Sequence, residues 1–108
     1  MKVNKESILS ILKTLDKEKY EINKIGLFGS FAREEETEQS DIDIFVDFKE
    51  EANVFRNFYD IKYDLEEIFQ KKVDLISSDN FDYEYKLKEV KDYKEKVKKE
   101  IMESIIYV

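Results

Sequence analysis

One segment, Ile25 to Phe48, constrains the fold more than any other: IGLFGSFAREEETEQSDIDIFVDF. The chain has only two glycines in 108 residues, and both, Gly26 and Gly29, lie here. Lys24 to Gly29 is a short apolar run stopped by glycine, and it reads as a buried strand. SFARE starts a short helix with Ser30 at its cap. EEETEQS is a charged loop without an apolar anchor. Asp41 to Phe48 reads as a second strand. Its alternation puts Asp41, Asp43, Phe45 and Asp47 on one face and Ile42, Ile44, Val46 and Phe48 on the other. For Gly26 the expectation is only close packing.

The flanking sequence supplies helices and one more strand. Asn4 caps a helix to about Asp16, with Ile8, Ile11, Leu12 and Leu15 on one face. Asn53 caps a longer helix to about Gln70, with a stripe of Phe55, Phe58, Ile61, Leu65, Ile68 and Phe69. Lys72 to Ser77, KVDLIS, is a third strand. A lysine- and glutamate-rich helical tail, broken near 91–93, ends in the apolar IIYV. The run KLKEVKDYKEKVKKE interleaves both charges and reads as a solvated helix face. Tyr83, Tyr85 and Tyr93 read as partly buried amphipathic side chains. With no repeat and no linker, residues 1–108 form one domain of the α+β (α/β) class.

Composition removes several kinds of chemistry. Fifteen aromatics, seven Tyr and eight Phe, supply core material and argue against disorder. There is no cysteine and no histidine, so zinc sites, disulfides and Cys-His or Ser-His catalysis lack their parts. Any metal must be hard and oxygen-bound. The net charge of −7 opposes general nucleic-acid binding. No apolar run spans a bilayer, and the N-terminus lacks the apolar block of a signal peptide, so the expected location is the cytoplasm, away from membranes.

Three carboxylates stand out. Asp41 and Asp43 share a strand face, roughly 7 Å apart at the backbone. Asp74 interrupts the third strand between Val73 and Leu75, where aspartate is disfavoured. Carboxylates converging from adjacent strands repel one another until a divalent cation neutralises them. Upstream, a strand ending in Gly29-Ser30 and turning into a helix presents backbone N–H groups and a hydroxyl to an anion. Arg33 can face the same phosphates or pair with the acidic loop. A phosphate cradle beside acidic residues describes nucleotidyl or phosphoryl transfer. Each part has a plainer reading. Gly-Ser can be only a helix cap, DID a solvated face, and Asp74 an ion-pair partner of Lys71 or Lys72.

Taken together, GLFGSFARE…SDIDIFVDF and KKVDLI resemble the minimal nucleotidyltransferase (MNT) family of the polymerase-beta-like nucleotidyltransferase superfamily. The pattern is Gly-Ser, Asp-x-Asp after about ten residues, and a later Asp, met here by Gly29, Ser30, Asp41, Asp43 and Asp74, with Arg33 at the family's Arg. The resemblance covers nearly the whole chain. It implies a small mixed β-sheet packed by helices on one face. It also implies ATP as substrate, with one or two Mg²⁺ held by Asp41, Asp43 and Asp74. Asp74 would help deprotonate the attacking hydroxyl, and Ser30 with the Gly29 backbone would hold the β- and γ-phosphates. The implied partner is a HEPN-domain toxin, which an MNT antitoxin modifies by AMP transfer to a tyrosine, in a hetero-oligomer or with the MNT chain itself homo-oligomeric. The alternative is an inactive antitoxin that neutralises the toxin by binding. In that case IIYV and the aromatic helix at 55–69 could be docking surfaces, although core packing suits most of them. A small-molecule acceptor would need a second domain. The sequence departs from the family at Glu34, where Gly often follows the Arg, and in the acidic loop, which would repel nucleotide phosphates unless it turns outward.

Overall fold

Asn4 opens the first helix as expected. Its side chain accepts from the Ser7 amide at 2.9 Å, and Ser7 Oγ accepts in return from the Asn4 amide at 3.0 Å, a reciprocal capping box. In this computed structural model, residues 2–78, 95–96, 98–99 and 101–108 are described. Tyr83, Tyr85, Tyr93, most of the charged tail and its expected break lie outside them.

The described elements are α1 (Lys5–Thr14), β1 (Ile22–Phe28), α2 (Gly29–Ala32), β2 (Ile42–Phe48), α3 (Val54–Phe69), β3 (Val73–Ser77) and β4 (Ile106–Tyr107). The strands form one sheet in the order β3-β2-β1-β4. β1 runs antiparallel to β2 and to β4, while β2 and β3 are parallel. The parallel pair needs a crossover, and α3 supplies it. The result is an α+β fold with a mixed sheet. No helix among the described residues is long and apolar enough to cross a membrane.

The main core lies on the face carrying Ile25, Leu27, Ile42, Ile44, Val46, Val73 and Leu75, covered by Ile8 and Leu12 of α1 and by Ile61, Leu65 and Phe69 of α3. α3 is rotated relative to the expected stripe. Its buried ladder is Asn57, Ile61, Leu65 and Phe69, one residue per turn. Phe55 is therefore 77% exposed and Ile68 41% exposed. Asn57 takes a core-facing position because Glu21 meets it: Asn57 Nδ2 and the Asn53 amide both donate to Glu21 Oε2, at 2.9 and 2.8 Å. A polar side chain so paired loses little on burial.

A second, smaller cluster lies on the opposite face. Phe28 and Phe45 pack with Ile101, against Ile76 and Ile105. The C-terminal segment thus closes part of the face that carries the aspartates. IIYV is used in packing and pairing, with β4 on the edge of β1. The same contact explains Gly26. A Cβ there would stand 2.8 Å from the Ile106 carbonyl and 2.9 Å from Ile105 Cγ1, so no larger residue fits without displacing the C-terminal segment.

Candidate functional site

Strand pairing brings the Gly-Ser turn and two of the aspartates to one place. Phe28, the last residue of β1, is the cross-strand partner of Asp43, and Asp43 is in turn the partner of Asp74 on β3. Paired residues in a sheet point to the same face, so Asp43 and Asp74 stand side by side on adjacent strands, about 4.8 Å apart at the backbone. Asp74 is exposed and Asp43 half-buried. Asp74 forms no ion pair with Lys71 or Lys72 among the described residues. Lys72 lies 3.8 Å from Asp41 instead, and Lys71 Nζ donates to the Glu38 carbonyl at 3.0 Å.

Gly29 is tied to Asp43 by shape. Its φ is +75°, in the region that glycine alone enters without cost. A Cβ there would lie 2.1 Å from Asp43 Oδ2 and 2.9 Å from Asp43 Cγ. The missing side chain is thus the space in which the Asp43 carboxylate rests against the turn. Ser30 does not cap α2: the N-cap residue is Phe28, without a side-chain cap bond. The chain enters the helical turn at Gly29 itself, which puts Ser30 inside the turn. Its half-exposed hydroxyl makes no hydrogen bond among the described residues.

The acidic loop has partners of its own. Arg33 Nε is 3.1 Å from Glu35 Oε2, one of the two roles open to Arg33 from the sequence. Lys5 Nζ is 3.5 Å from Glu34 Oε1. The loop borders a cleft of about 530 Å³ with Lys2, Val3 and Asn4 at the start of α1. Glu34 has φ +58°. Its amide donates to the Phe31 carbonyl at 3.2 Å, and the Glu35 amide to the Ser30 carbonyl at 2.8 Å. That pair of bonds is a Schellman ending to α2, with Glu34 at the left-handed position where glycine is favoured. The departure from the family's Gly thus falls where the backbone most wants one.

Asp41 lies just before β2 and is 43% exposed. No three acidic side chains among the described residues stand together closely enough to hold a metal ion. The structure therefore brings Asp43, Asp74 and the Gly29 turn together but does not gather Asp41 with them as a third ligand; its carboxylate lies by Lys72. Two carboxylates still fit magnesium, which is commonly held by one or two of them plus substrate phosphates and water. Asp47, at the far end of the polar face, is held by Ser78 Oγ at 2.6 Å and Asn23 Nδ2 at 2.8 Å.

Two supports of the site escaped sequence reasoning. One is a clamp on β3. Glu66 Oε2 accepts from the Val73 amide at 3.0 Å, and Lys62 Nζ donates to the Val73 carbonyl at 2.7 Å and faces Glu66 at 3.4 Å. The bond from Val73, then Lys62, hold the Glu66 carboxyl below its ordinary value, against an opposing push from burial. The clamp grips both polar atoms of the residue before Asp74. Lys62 and Glu66 are legible in the sequence only as an ordinary helical (i, i+4) pair. The other is Ser104, whose Oγ accepts from the Gly29 amide at 3.2 Å. A serine next to an apolar tail carries no signal of that role.

Known proteins resemble this chain in sequence and in fold. A Methanocaldococcus jannaschii protein named "Putative protein adenylyltransferase MJ1379" is 40% identical over 104 residues, covering 95% of this chain and 93% of the relative. "Protein adenylyltransferase MntA" of Thermococcus cleftensis is 39% identical over 71 residues, 66% of this chain and 71% of the relative. A crystal structure of a mutant toxin–antitoxin complex, MntA-HpeT, superposes with a TM-score of 0.57 at 16% identity, over 97% of this chain and 71% of that one, and so shares the fold. Residues 5–108 match the nucleotidyltransferase domain, and the chain belongs to that family.

Proposed function

We propose that this nucleotidyltransferase uses Mg-ATP to transfer AMP to a tyrosine of a HEPN-domain toxin and so acts as its antitoxin. The observation that carries the reading is the seating of Asp43 between the Gly29 turn and Asp74. The names of its adenylyltransferase relatives support the choice of reaction. In this reading the Gly29 backbone and the Ser30 hydroxyl hold the terminal phosphates. The tyrosine oxygen bonds to the α-phosphorus as the bond to pyrophosphate breaks, and its proton passes to Asp74. Asp43, with Asp74 beside it and Asp41 at the mouth, would hold magnesium, which when bound neutralises phosphate charge. The turning of the acidic loop toward Lys5 and the start of α1 supports phosphate access to the opposite side of the turn.

The test is incubation with labelled ATP, Mg²⁺ and the partner toxin. Label should appear on the toxin and be lost with Asp43→Asn. Absence of transfer, or equal transfer by that variant, refutes the reaction. A second reading, neutralisation by binding alone, draws support from the ungathered Asp41 and from an aromatic stripe on α3, where Phe55, Tyr59 and Tyr63 are 77, 54 and 72% exposed. If the Asp41→Asn/Asp43→Asn/Asp74→Asn variant protects cells from the toxin as well as the wild type, binding suffices.

A further inference from the structure

Helix α3 leaves a line of aromatic side chains in water. Phe55, Tyr59 and Tyr63 follow one another at four-residue steps and are 77, 54 and 72% exposed. They are already ordered against their own helix. The Phe55 and Tyr59 rings meet edge to face with centroids 5.0 Å apart, and Phe58 meets Tyr59 in the same way at 5.3 Å. A rigid aromatic line loses little freedom when something covers it. The charges on its two flanks differ in their engagement. On one flank, Lys62 and Glu66 are committed to the Val73 backbone. On the other, Arg56 and Asp60 stand one turn apart, 3.7 Å from each other and both exposed. α3 covers the sheet face opposite to the one that carries Asp43 and Asp74, so the aromatic line lies across the sheet from the candidate site.

The arrangement matches itself. A twofold interface makes every contact twice, residue i on j and j on i. With α3 antiparallel to its copy and the axis at Tyr59, the middle of the line, Tyr59 meets Tyr59 and Phe55 meets Tyr63 at both ends. In such a pair each flank faces its own counterpart. Arg56 then comes opposite Asp60 of the second copy, offset by about 3 Å along the helix, and the two chains close a ring of alternating charges. A partner carrying one sign of charge would leave Arg56 or Asp60 facing its own sign; a second copy does not. The area is that of a weak dimer. Aromatic side chains carry about 150–250 Å² each, so the exposed parts of these three offer roughly 300–500 Å² per copy. With Arg56 and Asp60 beside them, two copies reach roughly the 1,000 Å² at which specific interfaces begin. We propose that α3 is a self-association face on which two copies of this chain pair antiparallel, aromatic line on aromatic line, with Arg56 of each against Asp60 of the other. Both candidate sites then face away from the interface.

Sedimentation equilibrium of the full chain tests this, with melting temperature measured alongside. On concentration to about 1 mM, the 13.0 kDa chain should approach twice its mass, with a dissociation constant of about 10–100 µM. Tyr63→Asp should weaken association by about 10-fold or more, as for a covered aromatic anchor, and leave melting unchanged. Arg56→Asp and Asp60→Arg should each weaken it, because like charges then face each other. An equimolar mixture of those two variants should form the mixed dimer in preference to either homodimer. No effect within one chain produces that preference, so it decides the matter if a variant melts early. A wild type that stays monomeric overturns the proposal, as does a dimer that Tyr63→Asp leaves intact. Indifferent mixing of the two charge variants overturns the antiparallel pairing. A toxin is the competing occupant: a chain that is monomeric alone, and loses toxin binding with Tyr63→Asp, assigns the line to the toxin instead.

Discussion

Replacing Gly29 with alanine should impose two separable penalties. The first is conformational: φ is +75°, and a left-handed backbone costs an L-residue about 1–2 kcal/mol. The second is steric. The new Cβ would stand 2.1 Å from Asp43 Oδ2, roughly 1 Å inside ordinary C···O contact, and such overpacking costs about 1–3 kcal/mol. Rotating the Asp43 carboxylate away relieves that contact and the one to Cγ but not the 3.1 Å approach to Asp43 Cβ. Gly29→Ala should therefore destabilise the chain by about 2–5 kcal/mol, a large part of the stability of a small domain. In an Asp43→Ala background the carboxylate is gone but the 3.1 Å approach to Cβ stays, so the conformational cost of about 1–2 kcal/mol should make up most of what remains. Urea unfolding of the two single variants, the double variant and the wild type gives a coupling of about 1–3 kcal/mol if Gly29 exists to seat Asp43. An equal cost of Gly29→Ala in both backgrounds would refute the argument, because the turn and the carboxylate would then be independent.

Other substitutions follow from the same structure. Glu34→Gly should be more stable than Glu34→Ala by about 1 kcal/mol in urea unfolding, since both remove the exposed contact to Lys5 and only glycine relieves the left-handed backbone; a less stable Gly variant contradicts the Schellman reading. The Glu66 carboxyl is held below its ordinary value of 4.5 in the folded chain. Its stabilisation is thus present above pH about 4.5 and fades as pH falls through the lower folded value. Wild type should exceed Glu66→Gln in stability at neutral pH, and the gap should close on acidification; a gap constant with pH would rule out the charged clamp. Gly26→Ala should cost about 1–3 kcal/mol by pressing on Ile105 and Ile106, with β4 amides showing the largest gain in hydrogen exchange; uniform exchange would mean that β4 is not what the missing Cβ accommodates.

Alternation and capping made most of the fold legible. The three longer strands and both long helices form close to their expected limits, because Asn4 and Asn53 cap as such residues do and Ile42, Ile44, Val46 and Phe48 all face the core. The rotation of α3 was not legible: it depends on Glu21 accepting from Asn57, a contact between residues 36 positions apart. The second apolar cluster was hidden for a similar reason. Phe45 sits among aspartates in the sequence, and among the described residues it is Phe28, Ile76, Ile101 and Ile105 that make its position apolar. At the candidate site, the period-two pattern placed Asp41 and Asp43 on one face, and Asp74 stood out as an aspartate inside a strand. The match of Asp43 with Asp74 across β2 and β3, and the Ser104 contact, are matters of tertiary register that no local pattern encodes.

That register has a consequence for how reliably the site is assembled. Asp43 and Asp74 meet because β2 and β3 pair Ile42 with Val73 and Ile44 with Leu75 in the same ladder. A slip of one residue would turn Asp74 into the core and expel Val73 and Leu75 into water. The misaligned chain would lose buried apolar area and bury a carboxylate in one step, so it could not persist as a folded protein with a faulty site. Hydrophobic burial here acts as a proofreader of acid placement: a chain that has buried its valine and leucine has, by the same act, turned both carboxylates to one face of the sheet.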